Sequence, residues 1–299
     1  MAAAAAILVG VRAGDRAETT DRGAVLPAES SAPPDGDPRL RFPPPQLDDP
    51  VEIVIDASNA DLELDPETDY VLRMPEEPLE VENGLRIAGG RNVVLIGGEI
   101  HHPRWYSSDP KGNRGLYLVN QTGIVHIEGL LLSGALSEGI NLSEERADAV
   151  QLQNVRVESV RGSRDSNHAD VVQTWAGPRR LLVDGLTGAT TYQGLFLLPT
   201  QHADVGDRIE VELHRVDIKG EPGSGYLYWI EDEPNIRVTA SEVWASPRDP
   251  GMRRDEFLWW EGETGSDPWQ SVRVGSPPTG SFVRTGDAGV NYRSPGYRP

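Results

Sequence analysis

The sequence predicts an all-β protein, a single-stranded right-handed parallel β-helix of about six to seven coils that forms one solenoid. Two observations support this prediction. A short glycine-led phrase recurs along the chain, and each copy is followed by a second segment in which apolar and polar residues alternate. Self-similarity at such a period is typical of stacked repeats, in which no repeat buries its own apolar side. The copies start at Gly84, Gly115, Gly139, Gly194 and Gly225, with a degenerate copy at Asp170.

Composition divides the chain into three parts. Residues 1–49 are expected to hold a truncated signal segment or a frayed terminus at Ala2 to Val11, followed by a proline-rich lead-in. The β-helix is expected over residues 50–275, beginning at the alternating strand that starts with Val51. Residues 276–299 are rich in glycine, proline and serine, and we expect an irregular tail there.

Charge and residue usage exclude several classes of function. The net charge of −19 argues against nucleic-acid binding, because that affinity depends on neutralising phosphates with Lys and Arg. The chain has no cysteine, so it has neither a disulfide framework nor a thiolate metal site. The apolar N-terminal stretch is too short to span a bilayer, and we expect no membrane span. The smooth repeat and acidic surface are compatible with a monomer. The candidate signal segment favours a protein that is secreted or on the cell surface.

The register of the degenerate copy decides which of its side chains face outward. If Val171 occupies the glycine position, Val172 and Thr174 face the core and Gln173 faces out. If Asp170 occupies it, Gln173 turns into the core. A one-residue slip reverses every side chain of a strand, so burial of the apolar residues favours the first register.

In this register two outward ladders run along one face, because stacked strands lie about 4.8 Å apart. A strip of polar and aromatic side chains suits a sugar polymer, whose rings stack on aromatics and whose hydroxyls need donors and acceptors. In a last coil, Trp259, Trp260 and Trp269 are expected to cap the open end of the core, and His126 is expected to face outward. One ladder contains Asn83, Arg114, Glu138, Asp170, Gln193 and Ser224, and the other contains Arg86, Tyr117, Asn141, Gln173, Phe196 and Leu227.

The densest group of chemically active residues lies between Asp165 and Trp175 and is followed one coil later by a Gln-Gly pair at Gln193. With His-x-Asp-x-x-Gln starting at His168, the chain resembles the pectate-lyase-like superfamily of right-handed β-helices. The resemblance covers residues 50 to 275 as architecture and 167 to 194 as motif. It implies a carbohydrate-active protein. That superfamily includes lyases, hydrolases, epimerases and non-catalytic spikes, so the fold does not identify a reaction.

Three functions are compatible with these residues. Polysaccharide-lyase-type elimination from an acidic glycan needs a base and a neutralised carboxylate; Arg114 is a candidate base or clamp, and Asp165 and Asp170 are candidate ligands for Ca²⁺. Glycoside hydrolysis needs two carboxyl groups, for which Glu138 and Asp170 are the candidates. The third function is a non-catalytic glycan-binding or structural β-helix.

His168 and Asp170 are predicted to form an acid–base couple, because a carboxylate beside an imidazole favours its charged form and holds its tautomer. The alternative is that Asn167, His168 and Asp170 only tie down a corner that lacks glycine. The predicted catalytic residues are His168, Asp170, Glu138 and Arg114, and the predicted substrate-binding residues are Gln173, Gln193, Asn141, Tyr117, Trp175 and Tyr192.

Overall fold

The computed structural model describes residues 40–105, 112–206, 208–231, 233, 235–260 and 267–297. The predicted signal segment and most of the lead-in lie outside these residues. Almost all regular structure in the described part is β-strand, with a short 3-10 helix at Arg254–Glu256. The strands are β1 (Val51–Val54), β2 (Asp61–Leu64), β3 (Tyr70–Arg73), β4 (Leu85–Gly89), β5 (Val93–Ile96), β6 (Glu99–His102), β7 (Arg114–Val119), β8 (Ile124–Glu128), β9 (Leu131–Gly134), β10 (Glu138–Ser143), β11 (Ala149–Val160), β12 (Asp170–Ala176), β13 (Arg180–Thr190), β14 (Gln193–Leu197), β15 (Ile209–Gly220), β16 (Tyr228–Ile230), β17 (Ile236–Ser246), β18 (Leu258–Trp260) and β19 (Arg273–Val274).

The described strands form two sheets. Sheet 1 has eleven strands, in the order β1-β3-β5-β8-β11-β13-β15-β17-β19, with β6 and β9 paired alongside. Sheet 2 has eight strands, in the order β2-β4-β7-β10-β12-β14-β16-β18. All the strand pairings of both sheets are parallel. The prediction of an all-β protein built from stacked parallel strands is therefore confirmed.

The apolar residues of the two sheets share one core, and the described residues belong to one compact unit. Leu116 and Ile140 of sheet 2 and Leu95 and Ile127 of sheet 1 are fully buried members of this core. Each of these residues lies at an apolar position of an alternating segment. The period-two pattern read from the sequence thus corresponds to alternation between the core and the outer face of each sheet.

The register predicted for the degenerate copy is confirmed. Val172 pairs with Ile140 on one side and with Leu195 on the other, which places Val171 at the glycine position. This position faces the core, because a Cβ added at Gly139 would lie 3.0 Å from the Val157 side chain. Val171 is fully buried there. It fits because Gly188 lies opposite, where an added Cβ would be 2.5 Å from Val171 Cγ1.

The last copy of the phrase was predicted in the wrong register. Phe196 pairs with Trp229, so Leu227 occupies the glycine position and is fully buried. The outward ladders therefore continue through Tyr226 and Trp229, and the predicted members Ser224 and Leu227 are wrong. Additional residues in the corner that precedes β16 shift the strand by two positions. The sequence at Gly225 matches the repeat, but the number of residues in the preceding corner determines which residues of β16 pair with β14.

The long strands of sheet 1 bend at one shared position. Asn154, Gly185, Arg215 and Glu242 have φ values of 50°, 77°, 50° and 54°. They lie at the same height in neighbouring strands, each directly before a paired apolar residue. A left-handed backbone there costs little for glycine and asparagine and more for other residues. The bend turns the second half of each long strand toward the core.

The described residues after β19, up to residue 297, form no strand, but they cover part of the outer face of sheet 1. The Tyr292 hydroxyl donates to Glu128 Oε1 at 2.6 Å. His126 contacts the other oxygen, Oε2, of Glu128 at 3.0 Å and Gln151 Oε1 at 2.7 Å, and its side chain is fully buried. His126 faces away from the core as expected, but it does not reach solvent. The described residues contain no helix with the length and apolarity that a membrane crossing requires.

Candidate functional site

Arg114 and Glu138 form an ion pair on the outer face of sheet 2. They occupy paired positions at the beginning of β7 and β10, and Arg114 Nε donates to Glu138 Oε2 at 2.8 Å. Only 13% of the Arg114 side chain and 9% of the Glu138 side chain are exposed. Burial raises the pKa of Glu138, and the charge and hydrogen bond of Arg114 partly oppose that rise. This ion pair is a mostly desolvated group at the centre of the predicted ladder.

Asp170 lies next to this ion pair on the following strand, two residues before Val172, just as Glu138 lies two residues before Ile140. Its side chain is fully buried, and neither carboxyl oxygen has a hydrogen-bond partner in the part of the chain that the structure describes. Burial, followed by repulsion from Glu138, raises the pKa of Asp170 well above its usual value. Two neighbouring carboxyl groups therefore lie in unlike environments, which is how one site acquires both an acid and a base.

The predicted couple between His168 and Asp170 is not formed. His168 is exposed, and its ring packs on the ring of Tyr192 with 5.1 Å between centroids. His168 lies in the loop before β12, so the alternation that would place residues i and i+2 on one side does not apply. The corner is instead tied by Asn167, whose Nδ2 donates to the carbonyls of Ser137 at 2.9 Å and Arg161 at 3.0 Å.

The predicted amide-bearing residues surround the carboxyl groups. Asn141 and Gln173 are paired on β10 and β12, and Asn141 Nδ2 donates to Gln173 Oε1 at 3.2 Å. Gln193 is paired with Asp170 on β14. Asn141 Oδ1 and Gln193 Oε1 are buried without a hydrogen-bond partner in the described structure. The side-chain oxygens of Asn141 and Gln193 are thus buried acceptors without a partner, as are the two carboxyl oxygens of Asp170.

A groove of about 830 Å³ begins at Arg114 and runs toward the first coils. Tyr117 and Trp175 line it, with ring centroids 5.6 Å apart and the rings edge to face. The Arg114 guanidinium lies 4.9 Å from the Tyr117 centroid and 5.5 Å from that of Trp175. Arg114 therefore belongs both to the groove and to the ion pair with Glu138.

Three acidic residues of the first coils also line the groove and were not anticipated from the sequence: Asp61, Glu80 and Glu82. Arg86, a predicted ladder member, is paired beside Tyr117 and lines the groove too. Arg86 is already paired with Asp61 at 2.7 Å. These residues come from β2, β4 and the connection before β4, outside the motif that carried the resemblance. The only signal that could have found them was the stacking of the first coils on the predicted ladder.

The predicted metal ligands lie in different surroundings. Asp165 is exposed in the corner loop, whereas Asp170 is enclosed at the start of β12. Among the described residues, no group of three or more His, Cys, Asp or Glu side chains is arranged to hold a metal ion. Calcium binding stays a prediction.

Aromatic residues gather at the other end of sheet 2. Phe196, Trp229 and Trp259 are paired in register on β14, β16 and β18, and they share the outward ladder. Of the tryptophans expected to cap the core, Trp269 is fully buried against Tyr228, with centroids 5.4 Å apart. Trp259 instead faces outward, because its strand follows the register of β16.

No protein-family model matches the chain, and no curated protein or solved structure matches it either.

Proposed function

We propose that this protein is a right-handed β-helix that binds a glycan chain along sheet 2 and cleaves it beside Glu138 and Asp170. The observation that carries the proposal is the double contact of Arg114. Its guanidinium lies over the rings of Tyr117 and Trp175 in the groove, and it pairs with Glu138. A ligand held in the groove thus lies against the guanidinium that contacts Glu138. We expect the protein to act as a monomer, outside the cell or on its surface.

The groove has the composition that sugar binding requires. Tyr117 and Trp175 supply partly exposed aromatic surface, on which the apolar face of a sugar ring stacks. Glu80, Glu82 and Arg86 supply acceptors and donors for its hydroxyl groups. Three carboxylates and two guanidiniums line the groove, counting Asp61 and Arg114, so its net charge is slightly negative. A neutral glycan fits this balance better than a strongly acidic one.

Hydrolysis is the reaction that the carboxyl pair supports best. Neighbouring strands lie about 4.8 Å apart, close to the separation of about 5 Å between the carboxyl groups of retaining glycosidases. Asp170 holds its proton to a higher pH than an ordinary aspartic acid and suits the acid that protonates the leaving oxygen. Glu138, paired with Arg114, suits the carboxylate that attacks the sugar. Because Asp170 is enclosed, this role requires the 161–169 corner loop to shift when the glycan binds.

Elimination from an acidic glycan is the second candidate, and Arg114 is the observation that favours it. A uronate carboxylate that displaced Glu138 would find a guanidinium already positioned beside the groove. Arginine is effectively always protonated in proteins, so Arg114 suits the clamp and not the base. Ca²⁺ would supply further neutralisation in this reaction. The slightly negative wall opposes this candidate, because it repels an acidic chain unless cations mediate the contact.

The test is incubation of the full chain with neutral and acidic polysaccharides, with and without EDTA. New reducing ends without new ultraviolet absorbance indicate hydrolysis, and absorbance from unsaturated ends indicates elimination. Glu138→Gln should abolish hydrolysis, because an amide cannot replace the attacking carboxylate. Glu212→Gln is the matched control, because Glu212 is an ion-paired carboxylate on sheet 1, 2.7 Å from Arg41. If a polysaccharide binds but neither reducing nor unsaturated ends appear, the protein is a non-catalytic glycan-binding module and the proposed cleavage is wrong.

A further inference from the structure

Four half-buried aromatic side chains form a continuous surface on sheet 2, which we call the aromatic platform: Phe196, Tyr226, Trp229 and Trp259. The ring of Trp229 lies at its centre. Its centroid is 4.8 Å from that of Phe196, 5.1 Å from that of Tyr226 and 6.0 Å from that of Trp259. Tyr226 and Trp259 close the group at 5.3 Å. The rings face away from the core, so core packing does not account for them.

Two donors in the platform have no partner. The indole N–H groups of Trp229 and Trp259 are buried and make no hydrogen bond to any residue that the structure describes. A tryptophan N–H normally finds an acceptor when it is removed from water, and a buried donor left without one is unfavourable. An aromatic surface with unpaired donors matches a sugar, which offers an apolar ring face and hydroxyl oxygens together.

The position of the platform relates it to the carboxyl pair. The strand order of sheet 2 places β2, β4 and β7, which contribute to the groove, before β10 and β12, and places β14, β16 and β18 after them. The platform residues on β14, β16 and β18 extend the same outward ladder that contains Tyr117 of the groove. With about 4.8 Å per strand, the eight strands span about 34 Å. Binding surfaces thus lie on both sides of Glu138 and Asp170.

We propose that the aromatic platform is a second sugar-binding subsite, which holds the glycan on the far side of the carboxyl pair from the groove. This inference rests on the proposed function of sheet 2 and adds to it that the chain is held on both sides and cut internally. Sugar rings stack on the exposed parts of Trp229 and Trp259, and small rotations of these half-buried side chains on binding let ring or hydroxyl oxygens accept from the two indole N–H groups. A glycan confined to one side would occupy only half of the strip.

The experiment compares binding and cleavage for the full chain and four variants, Trp229→Ala, Trp229→Phe, Tyr117→Ala and Trp244→Ala. The probes are three neutral polymers, xylan, galactomannan and hydroxyethyl cellulose, and the acidic polymer polygalacturonate, together with oligosaccharides of increasing length from the polymer that binds. Trp244→Ala is the matched control, since Trp244 is a half-buried tryptophan on sheet 1 with the Arg273 guanidinium 5.4 Å from its ring. Far-ultraviolet circular dichroism and thermal unfolding establish that each variant is folded.

Trp229→Ala should weaken binding of the long polymer about tenfold, equivalent to about 1.4 kcal/mol, and raise KM with kcat little changed. Trp229→Phe keeps a ring but removes the donor, so its loss should be smaller. Trp244→Ala should bind like the unaltered protein. The unaltered protein should release products of mixed length from the start, as internal cleavage does.

Each failure has a distinct meaning. If Tyr117→Ala loses binding but Trp229→Ala and Trp229→Phe do not, the platform is not a subsite, and the groove keeps its proposed role. If the products are single terminal units from the start, the chain is not held on both sides and the inference is overturned. If none of the four polymers binds at all, both the subsite and the proposed function are overturned.

Discussion

Replacement of Asp170 by asparagine is expected to stabilise the protein at neutral pH while abolishing cleavage. The reason is the environment of the carboxyl group, which is fully buried, has no hydrogen-bond partner in the described structure, and lies beside Glu138. These conditions disfavour the ionised form and raise the pKa of Asp170 well above that of the unfolded chain. Residues kept for catalysis often reduce stability in this way.

The sign and size of the effect follow from proton linkage. An acid whose pKa is higher in the folded state binds more protons there, so stability falls as pH rises from the unfolded pKa, about 3.9, toward the folded one. Each pH unit in that window costs about 1.4 kcal/mol. Asparagine does not ionise. The advantage of Asp170→Asn should therefore be small below pH 4 and grow with pH until the folded pKa is passed.

The assay is urea-induced unfolding of both proteins at intervals from pH 4 to pH 8, with cleavage measured on the same preparations. Asn167→Ala is the control for a residue whose side chain only ties down the corner before β12. It removes two hydrogen bonds to backbone carbonyls and should lose about 1–2 kcal/mol with no such pH dependence. If Asp170→Asn is less stable than the unaltered protein at pH 7, then Asp170 also ties down the corner and its role as an acid has no basis.

Two further predictions concern stability away from the strip. Asp69 is 1% exposed; burial alone would raise its pKa, but hydrogen bonds from Arg91 and Asn92, among others, lower it to about 2. Asp69→Asn should cost about 2 kcal/mol at pH 7, and the difference, measured by urea unfolding, should disappear as pH falls from about 4 to 2. Glu242 is exposed with φ 54°, at the shared bend, where Arg215 lies level with it in the neighbouring strand β15. Glu242→Gly should raise the free energy of unfolding by up to about 1 kcal/mol. An unchanged or lower value would contradict the inference that the left-handed backbone at Glu242 is strained.

The architecture was predictable because it depends on local alternation. Val125, Val150 and Leu181 lie at apolar positions of segments with period two, and they pair in register in sheet 1. The orientation of Gln173 was predictable for the same reason, since only one register buries both Val172 and Thr174. Such patterns state which face of a strand a side chain takes. They require no knowledge of other coils.

The candidate site was only partly predictable. The sequence predicted that Arg114, Glu138, Asp170 and Gln193 would lie side by side, and their paired positions agree with this. The predicted couple between His168 and Asp170 is not formed, because His168 lies in a loop, where side chains do not alternate between the two faces of a strand. The roles of all these residues in catalysis remain predictions.

The aromatic platform was missed for a different reason. Trp229 joined the outward ladder only because the corner before β16 contains additional residues, and Leu227 took the buried position instead. The sequence shows the glycine-led phrase at Gly225 but does not show how many residues the corner absorbs. The groove wall depends on the same kind of information from the first coils.

By itself, the sequence determined that the chain stacks parallel strands and which face of most strands is apolar, because these properties depend on residues within one segment. Only the tertiary structure decided which residues of separate coils become neighbours and which polar groups lose contact with water. Loop lengths determine which residues of separate coils become neighbours, and burial determines which polar groups lose contact with water. The enclosed carboxyl of Asp170 and the unpaired indole N–H groups of the platform are consequences of both.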